Sequence, residues 1–579
     1  MIRIKDHKQR DIFDPWHFLS PKRRRMLDEG WPGLFREHLL DEMPVDQIIP
    51  FFREDFGRPG KELHTLLGVL LFQQTMDLSD IDTVEQLSFN MQWHYALNIT
   101  EESDSAKYIS EKTLWTWRQV LIENKLDQVI FNNITEKLAK VFNVDTSHQR
   151  IDSVHIQSNM RRLGRIGIFS QTIHKFLINL KRHHQKLFDT LPEALVKRYV
   201  SQKSLSAFSL VKPSESAKTL KMVSTDLYDL IEQFKDQPKV CDMHSYKLMQ
   251  RVLAEKCNVQ SDDTGCKVTV KKPKEIPSDS LQNPSDPDAS YSGHKGQGYQ
   301  VQIMETFSRS EDKKEKEKTL DLITHVEAEK ACEHDSKALM PAIEDTQQRE
   351  LGPEKVLGDT LYGSDENHQK ASESQVELIA PTHNPGRSDD IPLSRFSFDE
   401  NGRVLTCPAD KKPYEVRYKK KTQRFSARFT LKDCESCPHV DHCPVKPGKK
   451  NYFLRYSDKD YRLAERRRYE ASEEFIDIYR YRAGVEATMS QYNKLTGVKQ
   501  LRVRGLKAVR YCATLKATGL NLLRAASVRK ARRRSYGAAP GLLLPFPFFK
   551  EQVKYILFGL GRMLLPKPDA ADDYLVLAA

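Results

Sequence analysis

The fold is decided by the stretch Arg150-Ile151-Asp152-Ser153-Val154-His155-Ile156. Its residues alternate in character and include several β-branched side chains, which predicts a β-strand. Asp152 interrupts the apolar pattern. An unpaired buried carboxylate is costly, so an acid at this position calls for a cation or a partner. A surface-facing Asp at the edge of a sheet fits the same pattern and stays open as an alternative.

The chain before this strand has a helical pattern over residues 1–145. Leucines recur at helical spacing over 61–74, after a turn signal at 57–60. Ser79 and Ser110 stand where they can cap two further helices. Short helices with tight turns favour a helix-turn-helix-like, DNA-binding domain. From the pattern alone, a plain helical bundle is the favoured alternative.

Helical and strand patterns alternate after the first strand, which predicts a mixed α/β fold. Helical periodicity covers 165–257, and a segment rich in Ser, Asp, Pro and Lys over 258–290 is interpreted as a linker. Strands are predicted at 298–304, 320–326 and 355–359, a charged turn at 311–318, a helix at 335–345, and a long charged helix or helix pair at 460–500.

Two more acids stand where chemistry on phosphates would need them. Asp359 ends a short strand, and Glu486 lies in a helical stretch where Tyr479, Arg482 and Glu486 share one face. Two-metal phosphoryl transfer needs carboxylates from separate elements to meet at one point. Together with Asp152, these residues offer such a set. The ordinary alternatives are a helix-capping Asp and a solvated Arg–Glu pair.

Composition bounds the class of protein without deciding it. The 579 residues include 92 Lys and Arg against 80 Asp and Glu, a net charge of +12 that permits phosphate-bearing partners. No apolar run reaches the length of a membrane span, and the nearest, at 542–565, is broken by Pro and Lys. Residues 1–16 are charged and do not form a signal peptide. A reducing cytoplasm is therefore expected.

Four of the nine cysteines cluster at Cys407, Cys434, Cys437 and Cys443. The Cys434-x2-Cys437 spacing is typical of a metal knuckle, so we expect a structural Zn²⁺ clip held by four thiolates. Four free thiols in a basic loop are the alternative.

Several stretches resemble, in the same order, bacterial insertion-sequence DDE transposases. They are residues 151–165, Asp286-Pro287-Asp288-Ala289, residues 294–302, His334-Asp335-Ser336, Gly358-Asp359-Thr360-Leu361-Tyr362-Gly363, the Tyr-x2-Arg-x3-Glu signature at Tyr479, Arg482 and Glu486, and Val503-Arg504-Gly505-Leu506. The resemblance covers about 35–530 and is closest to a branch with a helical insert after its first catalytic strand.

The resemblance implies an RNase H-like core and a division of the chain. The expected parts are an N-terminal helical domain at 1–145, the first part of the core at 146–164, a helical insert at 165–257, a linker at 258–290, the second part of the core at 291–400, a Cys-rich basic module at 401–450, the catalytic Glu helix and end of the core at 451–530, and a basic run with an apolar tail at 531–579.

The activity implied is two-metal cleavage at transposon ends followed by strand transfer into target DNA. Asp152, Asp359 and Glu486 would hold two Mg²⁺ or Mn²⁺ ions. The residues that would contact or orient DNA are Arg482, Tyr479, Lys494, His155 and Lys295. The partners implied are double-stranded DNA, as terminal inverted repeats and target, and a second protomer in a homodimer on synapsed ends, with no membrane and a location in the bacterial nucleoid.

One departure from the family pattern and three rival functions stay open. The family signature has Lys seven residues after Glu486, where this chain has Asn493 and places Lys494 one residue later. The rivals are a metal-dependent nuclease on the same core, a non-catalytic DNA-binding relative and a zinc-dependent regulator. An ATP-driven DNA enzyme is disfavoured because the Gly-x4-Gly-Lys-Ser/Thr phosphate loop is missing from the sequence.

Overall fold

The strand predicted around Asp152 lies at the centre of a mixed sheet. Five strands, here called the first to fifth core strands, are His148–Gln157, Gly296–Thr306, Ile323–Lys330, Lys355–Leu357 and Glu377–Ile379. Their spatial order is third, second, first, fourth, fifth, and the short strand Ser290–Ser292 also pairs with the second. The first three pair antiparallel, whereas the fourth runs parallel to the first and the fifth parallel to the fourth.

This arrangement confirms the predicted mixed α/β class. The computed structural model describes residues 3–9, 14–51, 60–262, 265–383 and 390–535. The chain divides into two compact units, Met1–Val528 and Arg529–Ala579. Of the second, only the end of a helix, at 529–535, is described. The apolar segment at 542–565 lies outside the described residues.

The predicted N-terminal helices are present. Their bounds are Pro21–Glu29, Trp31–Leu34, Val45–Ile48, Leu63–Thr75, Asp80–Phe89, Met91–Ala96, Asp104–Lys107, Glu111–Glu123 and Leu126–Phe142. Ser79 and Ser110 cap their helices as predicted, each through its side-chain oxygen. The turn signal at 57–60 falls almost entirely outside the described residues. A single hydrophobic cluster joins these helices to the sheet, through residues such as Leu70 and Val301. A helix-turn-helix-like role stays a prediction.

The segment after the first strand forms its own hydrophobic core. Its helices are Arg165–His183, Gln185–Phe188, Glu193–Tyr199, Gln202–Ser209, Ser216–Phe234, Pro238–Cys241 and His244–Lys256. The linker interpretation differs from the structure at its start, because Cys257–Asp262 and Gly265–Val270 pair as an antiparallel hairpin. Val268 packs into the core of the helical segment. The alternation of β-branched residues near Val268 carries this strand signal, which the polar composition outweighed.

The Cys-rich region is a small β-structure. A four-stranded antiparallel sheet contains Glu415–Lys419, Arg424–Phe429, Lys446–Pro447 and Tyr452–Ser457. Ser397–Phe398 and Val404–Thr406 form a separate pair, and the short helix Leu431–Glu435 carries Cys434.

The helical elements of the core's second half differ from the prediction in two places. The helices are Lys313–Lys318, Leu339–Gln348, Asp365–Glu373, Asp458–Glu470, Glu473–Tyr479, Gly484–Thr496 and Leu506–Ser535. The predicted charged turn at 311–318 contains a short helix. The prediction that Tyr479, Arg482 and Glu486 share one helix face is wrong, because a 3-10 turn, Arg480–Ala483, separates two helices. Within the described part of the chain, no helix has the length and apolar character of a membrane span.

Candidate active site

Strand register places the first two acids level with each other. The parallel pairing of the first and fourth core strands ends at Arg150 opposite Leu357. Asp152 and Asp359 each lie two residues further along, past the carboxyl end of the fourth strand. Asp152 also pairs with Ile303 on the antiparallel side. The first strand is therefore internal to the sheet, which removes the alternative of an acid at a sheet edge.

Arg482 lies between all three predicted carboxylates. Its Nη2 donates to Asp152 Oδ2 at 3.0 Å and lies 4.0 Å from Asp359 Oδ2. Its Nη1 donates to Glu486 Oε1 at 3.2 Å. Three separate elements, the middle of one strand, the end of another and a helix, thus direct acids at one guanidinium. Such charge-assisted bonds hold together groups that would otherwise repel one another.

The environments of the three acids differ. Asp152 is the most enclosed, with 16% of its side chain exposed, against 30% for Asp359 and 71% for Glu486. Burial raises the pKa of Asp152 above its ordinary value, the charge of Arg482 opposes this, and the nearby acids Asp359 and Asp335 add to it. A cation would relieve these costs by compensating the buried charge.

Asp359 shapes a turn and does not cap a helix. Its Oδ1 accepts from the amide of Leu361 at 2.8 Å, and its carbonyl accepts from the amide of Tyr362 at 3.1 Å. The helix that follows, Asp365–Glu373, is capped by Ser364 instead. The helix-capping alternative for Asp359 is therefore excluded.

A second Arg–carboxylate cluster, which the sequence did not reveal, anchors the elements behind Arg482. Glu305 is fully buried and accepts from Arg150 Nε at 2.8 Å, from Arg524 Nη1 at 2.9 Å and from Thr488 Oγ1 at 2.8 Å. These residues join the first strand, the second strand, the helix of Glu486 and the long helix Leu506–Ser535. We call Arg150, Glu305, Thr488 and Arg524 the Glu305 cluster.

Arg150 also explains a glycine in the signature. Its Nη1 donates to the carbonyl of Tyr481 at 2.8 Å, directly before Arg482 in sequence. A Cβ on Gly484 would collide with that same Nη1. The absence of a side chain at Gly484 lets the guanidinium pass and fix the turn that carries Arg482. Packing, rather than backbone freedom, requires glycine here.

Asp335 is a fourth acid beside the site that sequence reasoning did not place there. Gln302 donates to its Oδ1 at 2.8 Å, and the buried Tyr362 hydroxyl donates to Gln302 at 2.7 Å. Lys295 lies 4.0 Å from its Oδ2 and donates to Ser153 at 3.0 Å. The sequence contains the His334-Asp335-Ser336 match, but that match indicates no role for Asp335 until the fold places this acid beside Asp152.

A cleft of about 1060 Å³ opens next to the carboxylates. Asp152 and Glu486 line it together with His155, Lys295 and Lys494, three of the residues predicted to contact DNA. Burial, and then the charge of Lys295, lower the pKa of His155, and neither of its ring nitrogens has a partner. The cleft is thus lined by both acids and cations.

Lys494 and Tyr479, which were also predicted to contact or orient DNA, lie in different places. Asn493 and Lys494 both line the cleft, and Asn493 Oδ1 accepts from the amide of Lys499 at 3.1 Å. Tyr479 is outside the cleft lining and stacks on Phe475 with ring centroids 5.1 Å apart. The pKa of Tyr479 is raised by burial and responds to the charges of Arg482, Asp359 and Asp152. Tyr479 therefore lies within electrostatic reach of the acids.

The four predicted zinc ligands meet in one place. Cys407, Cys434, Cys437 and Cys443 line a single small cavity of about 20 Å³. Burial, and then the three neighbouring thiols, raise the pKa of Cys434 to about 11. The donor set fits Zn²⁺ by chemistry.

Comparison with known proteins gives two family matches. Residues 406–526 match the family model described as a transposase DDE domain, and residues 31–120 match a transposase domain, DUF772. The first match includes Arg482, Glu486 and the four cysteines, and the second includes Ser79 with the helix that it caps and most of the helix capped by Ser110. No curated protein matches the chain.

A solved structure is also similar by superposition. It is described as the cryo-EM structure of a piggyBac transposase synaptic complex with hairpin DNA. The identity is 9%, the alignment covers 97% of this chain and 88% of that chain, and the TM-score is 0.27. At that score the superposition does not establish a common fold.

Proposed function

We propose that this chain is an insertion-sequence DDE transposase that cleaves DNA at the ends of its element and joins those ends to target DNA, and the two matched segments support this proposal. The observation that carries the proposal is the meeting of Asp152, Asp359 and Glu486 around Arg482. Acids from the middle of one strand, the end of another and a helix suit a reaction that depends mainly on positioning and charge compensation.

The acids are the proposed holders of two divalent ions, Mg²⁺ or Mn²⁺. Mg²⁺ is bound in proteins by a few carboxylates together with water and phosphate oxygens, and this donor set is of that kind. When bound, such ions lower the pKa of water and stabilise the attacking and leaving oxygens of a phosphoryl transfer. Asp152 and Asp359 would serve both sites, and Glu486 would complete the second.

Arg482 has two tasks in this proposal. Without a metal, its guanidinium compensates the repulsion among the three carboxylates. With the charge of the acids compensated by a cation, the Arg482 guanidinium would be able to bind a phosphate oxygen of the DNA. Arg482 would thus change partner when the site is loaded, while the Glu305 cluster keeps its backbone in place.

The cleft supplies the proposed path for the DNA backbone. Lys295 and Lys494 would pair with phosphates, and this pairing would make binding weaken as salt rises. His155, with two unpartnered nitrogens, would donate to the same backbone. We further propose that two protomers assemble on synapsed ends and that Cys407, Cys434, Cys437 and Cys443 hold a structural zinc ion.

The test is Mg²⁺-dependent cleavage and joining on DNA that carries the repeats flanking this gene. Wild type is compared with Asp152→Asn, Asp359→Asn and Glu486→Gln, and with Asp477→Asn as a control, because Asp477 is an exposed acid on the preceding helix. Each site variant is expected to lose activity by at least about 1000-fold, as members of one catalytic set do, while still binding DNA. The control is expected to match wild type.

Two results would change the proposal. Cleavage by wild type without joining would favour the nuclease on the same core. Equal activity of all the proteins would remove these carboxylates from the active site, and a DNA-binding regulator would then explain the family matches better.

A further inference from the structure

A compact cluster of metal-type ligands lies in the N-terminal region. We propose that His7, Glu62 and His64 bind a divalent transition-metal ion of the zinc type, and that this ion fastens residues 3–9 to the helix Leu63–Thr75. The ligand atoms of the three side chains all lie within 4.8 Å of one another. Two imidazoles and one carboxylate are a known zinc donor set.

His7 is the strongest reason to expect a ligand. Only 3% of its side chain is exposed, and neither ring nitrogen has a hydrogen-bond partner. Buried polar atoms in native proteins are nearly always satisfied, so two orphaned nitrogens on one buried ring call for a partner. Its Nε2 lies 3.7 Å from Glu62 Oε1, and its ring centroid lies 4.8 Å from that of His64.

Glu62 has the capacity for an ion in addition to its present bonds. It caps the helix by accepting from the amides of His64, at 3.0 Å, and Thr65, at 2.7 Å, and it also accepts from the amide of Lys5 at 3.4 Å. A carboxylate offers about four lone-pair positions, so these three amides leave one position for a cation. His64 Nδ1 lies 2.8 Å from Glu62 Oε1. A metal ion would replace the proton in that contact.

The ammonium group of Lys61, next to Glu62 in sequence, is bound elsewhere. Lys61 donates to the carbonyls of Ser105, Ala106 and Tyr108. His7 also lines two open clefts, of about 690 and 580 Å³, which give an ion and a coordinating water access.

The position of the cluster indicates what the ion would do. Residues 3–9 touch the helix through a backbone bridge between Arg3 and Glu62 and through the amide of Leu63, which donates to the carbonyl of Arg3 at 3.0 Å. The amide of Lys5 also donates to Glu62 Oε1 at 3.4 Å, and a metal would add a further clamp on that segment. Its binding energy would therefore appear as local stability of residues 3–9.

The experiment counts zinc ions on the full chain, with Zn²⁺ alone as the probe and excess Mg²⁺ present to occupy the oxygen-rich carboxylate site. Wild type is compared with His7→Ala and with His17→Ala, an exposed histidine in the same region. His7→Ala is expected to hold one ion fewer, or to bind it at least about 100-fold more weakly, since even indirect support of a metal costs 10- to 100-fold. Zinc should slow amide exchange at residues 3–9 in wild type and in His17→Ala only.

Glu62→Gln is the second variant, because the amide keeps a capping acceptor and removes the charge. It should fold and should lose the same zinc ion. Equal zinc content, affinity and amide exchange in wild type, His7→Ala and Glu62→Gln would overturn the proposal and leave a hydrogen-bonded helix cap. DNA cleavage plays no part in these readouts, so the result is independent of the proposed transposase activity.

Discussion

Two Arg–carboxylate clusters begin two residues apart on the same strand, and they differ in exposure and in charge balance. The Glu305 cluster, which starts at Arg150, has two guanidiniums around one fully buried acid. The Arg482 cluster, which starts at Asp152, has one guanidinium for three acids, and Glu486 is 71% exposed. The first is closed and its buried acid is compensated, as a structural anchor requires. The second is open and has an excess of negative charge, as a cation site requires.

The largest expected effect comes from removing the negative charge of the buried Glu305. Glu305→Gln leaves Arg150 and Arg524 buried without their counter-charge, and breaking such a pair costs about 3–5 kcal/mol. Urea unfolding should show this loss of stability. Glu486→Gln is the matched change in the open cluster, and its effect should be within about 0.5 kcal/mol because the side chain is exposed. Similar losses for both variants would remove the distinction.

The contact between Gly484 and Arg150 gives a smaller effect. Gly484→Ala forces the guanidinium of Arg150 to move, because the new Cβ would collide with it. Overpacking of this kind costs about 1–3 kcal/mol, and thermal unfolding should report it. Gly293→Ala is the control, since a Cβ there would meet nothing within 4 Å. If Gly484→Ala and Gly293→Ala unfold at the same temperature, the close contact between Gly484 and Arg150 does not hold the turn before Glu486 in place.

The smallest expected effect is a pH dependence of the protein's stability, caused by an acid beside the Glu305 cluster. Burial, and then the charge of Glu305, raise the pKa of Asp321 to about 6. Ionised Asp321 therefore costs stability, a cost absent below its ordinary pKa of 3.8 and complete above pH 6. Asp321→Asn should be the more stable protein above pH 6, by less than about 1 kcal/mol because solvent screens the group.

Unfolding measured from pH 4 to 8 should show that difference close as the pH falls toward 4. A gap that is constant with pH would mean that Asp321 titrates normally. A gap that widens on acidification would reverse the sign of the linkage.

The local setting of each acid could be predicted from the sequence more fully than the contacts that hold the acids in place. Asp152 inside a strand, Asp359 at a strand end and the pair Arg482–Glu486 all follow from local pattern, because each signal spans only a few residues. Their convergence does not, since Arg482 and Asp152 are 330 positions apart. No periodicity links residues at such a separation, so only the order of family motifs brought them together.

The Glu305 cluster and the break before Gly484 could not be predicted for the same reason. Glu305 is 155 positions from Arg150 and 219 from Arg524. The 3-10 turn at Arg480–Ala483 depends on the guanidinium of Arg150 beside Gly484, which is a tertiary contact that overrides helix propensity. The cluster of His7, Glu62 and His64 was not predicted either, because His7 is far from the other two residues in sequence.

The most direct test of the central claim is a calorimetric titration of the full chain with Mn²⁺ in the absence of DNA. The open Arg482 cluster should bind the ion, and Asp152→Asn should weaken that binding at least about tenfold, since one carboxylate ligand is lost. Asp477→Asn, an exposed acid outside the cluster, should titrate as wild type does. Identical titrations of wild type, Asp152→Asn and Asp477→Asn would contradict the claim that the acids around Arg482 form a metal-binding active site.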